Sequence, residues 1–266
     1  MRKQLIGGLA ASTILGLLSA APVAQTAGWL PCPRCQTPQQ AEAAQKSKDQ
    51  PLNPHDLSGI WGRGGMGLSS EVPPMTPSGQ AKYVAAKPGM GPRAVPLGSD
   101  PMMICDPLGY PRWLNYNYGM EFVHLPGRTL QFFETYHTYR TIWTDGRVLP
   151  GADAEARWMG YSVGRWDGDT FVVESAGFDD RSWLDTQGHQ HSDVMRVTER
   201  YRRASYDTLE VTLTIDDPKT YTRPWVTKAN VKLSPGTEMG EYFCVPSDEA
   251  AYLKTVRERA GGVPPR

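Results

Sequence analysis

The chain has 266 residues, with 28 Lys and Arg against 28 Asp and Glu and no formal net charge. Both signs are interspersed and there is no basic excess, which excludes the electrostatic footprint of a nucleic-acid-binding protein. Hydrophobic residues make up 39% of the chain and aromatic residues 10%, enough to bury a core and exclude disorder throughout, while 27 Gly and 23 Pro make it rich in turns.

The first residues read as a secretory signal over 1–27. Arg2 and Lys3 form a basic start, an apolar run extends from Leu5 to Leu18, and small residues follow from Ala20 to Ala27. No other long apolar run occurs, so no integral membrane segment is expected after the signal is removed, and the expected destination is outside the cytoplasm, in a periplasm or the extracellular space. Residues 28–58 read as an N-terminal arm and linker. They begin with Cys32 and Cys35 in "CPRC", read as a local disulfide in preference to a redox pair or half of a zinc site. The other two cysteines are Cys105 and Cys244. A bond between them would close a long loop, worth about 4–5 kcal/mol in the chain-entropy model, although the sequence leaves the pairing open.

Residues 59–266 read as one domain. Within "MTPSGQAKYVAAKPG", Thr76 is a natural N-cap, Pro77 suits the first helical position and Pro88-Gly89 stops the helix, which predicts a short helix over 77–86. From Glu121 the pattern changes to strands: "EFVHL", "RTLQFFETY", "HTYRTIWT", "RWMGYSVGRW", "TFVVESAGF", "VMRVTERYRR", "DTLEVTLTI", "PWVTKANVKL" and "EMGEYFC". Asp167-Gly168 supports a hairpin turn. In the clearest alternation, Leu209, Val211, Leu213 and Ile215 take one face and Thr208, Glu210, Thr212 and Thr214 the other. Eight to ten strands with short connections predict an antiparallel meander that closes into a barrel and so removes its edges. The tail "PSDEAAYLKTVRERAGG" predicts one C-terminal amphipathic helix, capped by Ser247 or Asp248 and ended at Gly261.

Two patterns carry a resemblance. "DLSGIW" places Gly59-x-Trp61 ahead of the strands, which is similar to the signature that opens the first strand of lipocalin-like (calycin) barrels. The longer set "PPMTPSGQAKY", "CDPLGYPR", "YHTYRTIWTDGR", "WMGYSVGRWDGDTFVVESAGFDDRSWLDTQGHQHSD" and "VTERYRR" resembles a family of exported bacterial proteins over about residues 56–245. That family carries no assigned activity. The resemblance therefore implies a fold and export, and no mechanism.

Three stretches concentrate chemical groups. If "YHTYRTIWT" is a strand, His137, Tyr139, Thr141 and Trp143 share one face and Arg140 and Ile142 the other, so the His-Tyr-Trp face is a candidate pocket wall. In "VMRVTERYRR", Met195, Val197, Glu199 and Tyr201 share a face. If that face points inward, Glu199 is a buried carboxylate, either an acid–base group or half of a structural ion pair with Arg140 or Arg147. The connection "GFDDRSWLDTQGHQHSD", Gly177 to Asp193, is densest. It reads as a metal site built on His189 and His191, as a base at His191 oriented by Asp180 or Asp193, or as a self-bonded loop whose Trp183 and Leu184 plug the barrel end. No G-x-S-x-G, H-E-x-x-H or P-loop motif is present, and the Gly-rich "GRGGMG" at 62–67 lacks the following Lys-Ser/Thr that phosphate cradling needs.

The leading expectation is an exported barrel that handles a small molecule in a polar-aromatic pocket by acid–base chemistry, without cofactor or metal. His137 and His191 would form the acid/base pair, Tyr139 and Tyr161 would donate hydrogen bonds, and Asp180 and Asp193 would orient a histidine. Arg140 and Arg181 would hold the substrate, Trp143 and Trp183 would supply aromatic surface, and Glu199 is the reserve carboxylate. The alternatives are a non-catalytic ligand binder and a metal-dependent enzyme.

Overall fold

A computed structural model describes residues 51–62, 66–67, 69–86, 100–116, 118–151 and 153–247, with residue 250. All lie in the larger of two compact units, Gln36–Arg266. The expected signal segment, the CPRC pair and the C-terminal helix beyond its first residues fall outside the described residues.

Among the described residues, nine strands form one sheet in sequence order, the predicted meander. They are β1 (Ile60–Trp61), β2 (Met120–Leu125), β3 (Arg128–Phe133), β4 (Thr138–Trp143), β5 (Tyr161–Asp167), β6 (Thr170–Ala176), β7 (Arg196–Ser205), β8 (Thr208–Asp216) and β9 (Trp225–Lys232). Neighbours are antiparallel except β4 and β5. A parallel pair needs a crossover, and residues 144–160 provide it. β1 draws the sheet nearly closed: Trp61 bridges Leu233, the Ser234 N–H donates to the Ile60 carbonyl at 2.8 Å and the Gly62 N–H to the Lys232 carbonyl at 3.0 Å. The expected last strand, "EMGEYFC", is absent as such. It is a strap that meets the turn after β3 through the bridge from Thr135 to Tyr242 and the hydrogen bond from the Gly240 N–H to Glu134.

Turn chemistry sets one end of the barrel. The β2–β3 turn is Pro126-Gly127, where proline presets φ and Gly127 takes φ 74°, and the β5–β6 turn uses Gly168 at φ 56°. The opposite end carries the 134–137 turn, the segment 100–119, the connection 177–195 and the loop 217–224. The helix α1 (Pro77–Ala86) has the predicted bounds. The Thr76 hydroxyl accepts the Gly79 N–H at 3.1 Å and donates to the Lys219 carbonyl at 2.6 Å, which caps the helix and ties it to the 217–224 loop.

Alternation sorts the side chains of each strand onto two faces. On β8, Leu209, Val211, Leu213 and Ile215 are buried, and on β7 so are Val197, Glu199, Tyr201 and Arg203. On β4, Arg140 and Ile142 are buried and Tyr139 is exposed. A disulfide joins Cys105 to Cys244, with Cα atoms 5.5 Å apart and 139 residues of separation. Closing a loop of that length is worth about 5 kcal/mol in the chain-entropy model.

Gly79 separates two effects of opposite sign. Alanine is favoured over glycine in a helix by about 1 kcal/mol. A Cβ at position 79, however, would sit 2.3 Å from the Thr220 carbonyl oxygen, on a backbone atom that cannot swing aside. Gly79→Ala is therefore expected to destabilise the protein by about 1–3 kcal/mol, the usual range for overpacking. Urea unfolding measures it, and a neutral or stabilising result would contradict the close approach.

Candidate functional site

The barrel interior holds a buried ionic network. Arg140 on β4 and Glu199 on β7 have side chains 2% and 0% exposed. The guanidinium donates to both carboxylate oxygens, with Nη1 to Oε1 at 3.0 Å, and Nε donates to Gln131 Oε1 at 2.8 Å. The Tyr110 and Tyr201 hydroxyls each donate to Glu199 Oε2 at 2.6 Å. Ser162 and Ser175, 2.8 Å apart, complete the shell, and the Tyr110 ring lies 3.7 Å from the guanidinium carbon. Burial alone would lower the Arg140 pKa, but Glu199 and the two phenols outweigh it and hold it above its ordinary value. Burial, with Glu199 adding to it, raises both tyrosines and keeps their hydroxyls as neutral donors. Among the described residues, buried side-chain polar atoms without a partner occur at Arg112, Trp113, Asn115 and Arg203, and none belongs to this network.

The connection from Gly177 to Asp193 bonds to itself and to the barrel end. Asp179 holds Arg181, whose side chain is 59% exposed, and Asp180 pairs with Lys82 on α1 at 3.1 Å. Trp183 and Leu184 are buried. Asp185 accepts the Gln187 N–H at 2.8 Å and contacts His189 Nδ1 at 2.6 Å, while the His189 ring stacks on Tyr83 and meets Trp225 edge-on. His191 is fully buried. Its Nδ1–H donates to the Ser192 carbonyl at 3.0 Å, which leaves Nε2 to accept from the Ser182 hydroxyl at 2.8 Å. Burial lowers its pKa, against the opposing pull of that carbonyl and of Asp217. Asp193 is exposed and paired with Lys219 at 2.8 Å.

A groove of about 780 Å³ runs along the outside of the barrel. Its floor is made by outward residues of β2 and β3, namely Glu121, Val123 and Phe132. Residues 233–239 of the strap form its wall. Asp56 and Arg203 stand at one end, and His137 also lines it. The groove follows from a short strand: β1 pairs β2 only at Met120 and Glu121, so the strap, not a strand, lies beside the rest of β2.

The structure separates the groups that the sequence reading brought together. The His-Tyr-Trp face of β4 is the outer face, because Arg140 and Ile142 face in: Tyr139 is 55% exposed and Trp143 lies under Arg147. His137 precedes β4 with φ 47°, which breaks the alternation, and its ring sits 6.1 Å from Phe243. Tyr161 also faces out, where its hydroxyl donates to the Glu155 carbonyl. His191 and Glu199 are buried in different bonding shells, and Asp180, Arg181 and Asp193 are at the surface. His189 and His191 face different partners, and among the described residues no three His, Cys, Asp or Glu side chains gather as a metal-binding group. Sequence reasoning missed Tyr110, Gln131, Ser162 and Ser175. Only Gln131 carried a signal, since it alternates with Thr129 and Phe133 on β3.

No family model matches this chain, and no curated protein or solved structure matches it.

Two measurements test this geometry. Glu199→Gln removes the charge that compensates Arg140 and is expected to cost about 3–5 kcal/mol in urea unfolding, with the double variant Arg140→Met/Glu199→Leu recovering part of it. A loss under about 0.5 kcal/mol in Glu199→Gln would contradict the buried pair. For His191 the shift is downward from 6.5, so the unfolded chain binds the proton more readily than the folded one. Its contribution is complete well above the ordinary histidine pKa and is lost progressively as the pH falls below it towards the lowered folded-state value. His124, also lowered by burial, acts in the same direction. His191→Gln should make that slope shallower, and an unchanged slope would remove His191 as its source.

Proposed function

We propose that this is an exported β-barrel protein that binds a small molecule in the groove beneath the strap. The observation that carries the reading is the groove itself. At about 780 Å³ it falls within the range of roughly 300–1,000 Å³ typical of small-molecule sites, and its lining mixes apolar Val123 and Phe132 with polar Glu121, His137 and Asp56. The interior supports no such role, because Arg140, Glu199 and their neighbours fill it and satisfy one another. Binding is thus displaced from the inside of the barrel to its outer face. Export accords with the basic-apolar start of the chain and with the disulfide, a bond that persists in oxidising compartments. Among the described residues no helix is long and apolar enough to cross a membrane.

One observation favours a catalytic variant of the same reading: His137 and Glu121, an imidazole and a carboxylate, line one groove. In that variant a ligand incubated with the protein is recovered altered, and His137→Ala returns it unchanged.

The binding test uses the neutral fluorescent probe N-phenyl-1-naphthylamine. Wild-type protein should give a saturable fluorescence rise, and Val123→Trp, which fills the groove floor, should weaken binding about tenfold or more. Absence of saturable binding, or binding unaffected by Val123→Trp, would overturn the groove as the site.

A further inference from the structure

The strap that walls the groove is fastened unequally at its two ends. At the β9 end it is part of the sheet: Leu233 bridges Trp61 and the Ser234 N–H donates to Ile60. A turn follows, with Gly236 at φ 67° and the Thr237 hydroxyl donating to the Ser234 carbonyl at 2.8 Å. At the far end the non-covalent ties among the described residues lie near the surface: the Gly240 N–H donates to Glu134 Oε1 at 3.0 Å, and Tyr242 bridges Thr135, hydrogen-bonds and stacks with Tyr118 and lies near Tyr136. Tyr242 and Phe243 remain 44% and 54% exposed, so little apolar burial holds them down. A segment with few buried contacts opens locally at small cost. The fastening that does not depend on burial is the bond from Cys244 to Cys105.

We propose that the Cys105–Cys244 disulfide is a redox latch that keeps the strap closed over the ligand groove. The proposal rests on the reading of that groove as the binding site. Both cysteines are only partly buried, so a dithiol can reach the bond. A thiolate of the dithiol attacks one sulfur and forms a mixed disulfide, and its second thiolate displaces the protein sulfur. The dithiol gives up two electrons and two protons and leaves as a disulfide, while Cys105 and Cys244 take them up as thiols. The strap then pivots at 234–237, the stretch from Glu238 to Cys244 swings away, the groove loses the Glu238–Met239 part of its wall, and the ligand is released. Thiol–disulfide exchange with a disulfide oxidant, which accepts the two electrons and two protons and leaves as a dithiol, reverses the sequence. The device would couple ligand retention to an oxidising compartment and release to a reductant of the dithiol class.

The experiment compares the oxidised protein, the dithiothreitol-reduced protein and the variant Cys105→Ser/Cys244→Ser, which isolates this bond from the CPRC pair. Two quantities are read from each: amide exchange in 238–244, with β6–β8 as the control for an intact fold, and affinity for N-phenyl-1-naphthylamine. Cutting the bond should speed exchange in 238–244 about tenfold or more while β6–β8 stay protected, and should weaken probe binding about tenfold. Unchanged exchange in 238–244 would overturn the latch, because the non-covalent ties would then suffice. Faster exchange with unchanged affinity would overturn the gating alone. An oxidised protein that takes no probe would overturn the gating together with the groove reading, and the exchange data would still report whether the bond fastens the strap.

Discussion

Arg140 and Glu199 reach the middle of the barrel from β4 and β7, and neither is solvated there. Each depends on the other, and on Gln131, Tyr110 and Tyr201, for every strong contact it makes. A buried charge left without its partner costs several kcal/mol, so the pair penalises any arrangement that separates those strands or turns either side chain outward. Slipping β7 by one residue would exchange Glu199 for an exposed neighbour and strand Arg140 in the core. The network acts as a register pin in a barrel whose alternating apolar residues alone would specify the register less sharply.

Filling the interior has a consequence for where ligands can go. Tyr110 enters from the segment 100–119 and completes the Glu199 shell, while Trp183 and Leu184 of the Gly177–Asp193 connection are buried at the same end. The groups that made this connection look like a working site are spent on one another: Asp185 with His189, Ser182 with His191, Ser192 with Asp217. The dense cluster of titratable residues is a polar plug. Space of ligand size lies instead where the sheet is incomplete, beside a two-residue β1 and under a strap that replaced the expected last strand.

Period-2 alternation made the meander and the inward set on β8 legible in advance and grouped the β7 side chains by face, while the cap at Thr76 and the stop at Pro88-Gly89 made the helix over 77–86 legible, because burial and turn chemistry leave local marks. The Arg140–Glu199 pair was half legible. Alternation placed each residue on a face, and Arg140 was one of two arginines named for Glu199, but which face of β4 pointed inward required the sheet. The groove was not legible at all. Its floor comes from the solvent side of β2 and β3 and its wall from a segment more than a hundred residues away in sequence. Tyr139 and Trp143 read as a pocket wall in the sequence because an aromatic face looks like a lining, but the buried carboxylate on β7 draws Arg140 inward and turns that face out, while His137 leaves the alternation at φ 47°.

The central claim is that the barrel interior is sealed by a satisfied ionic network. It is tested most directly by the hydroxyl protons of Tyr110 and Tyr201 in solution NMR. The account predicts that both are observed as slowly exchanging resonances coupled through space to the Arg140 side chain, and that both vanish in Glu199→Gln. Hydroxyl protons that exchange freely with water in the folded wild-type protein would show a hydrated interior open to ligands and would contradict the account.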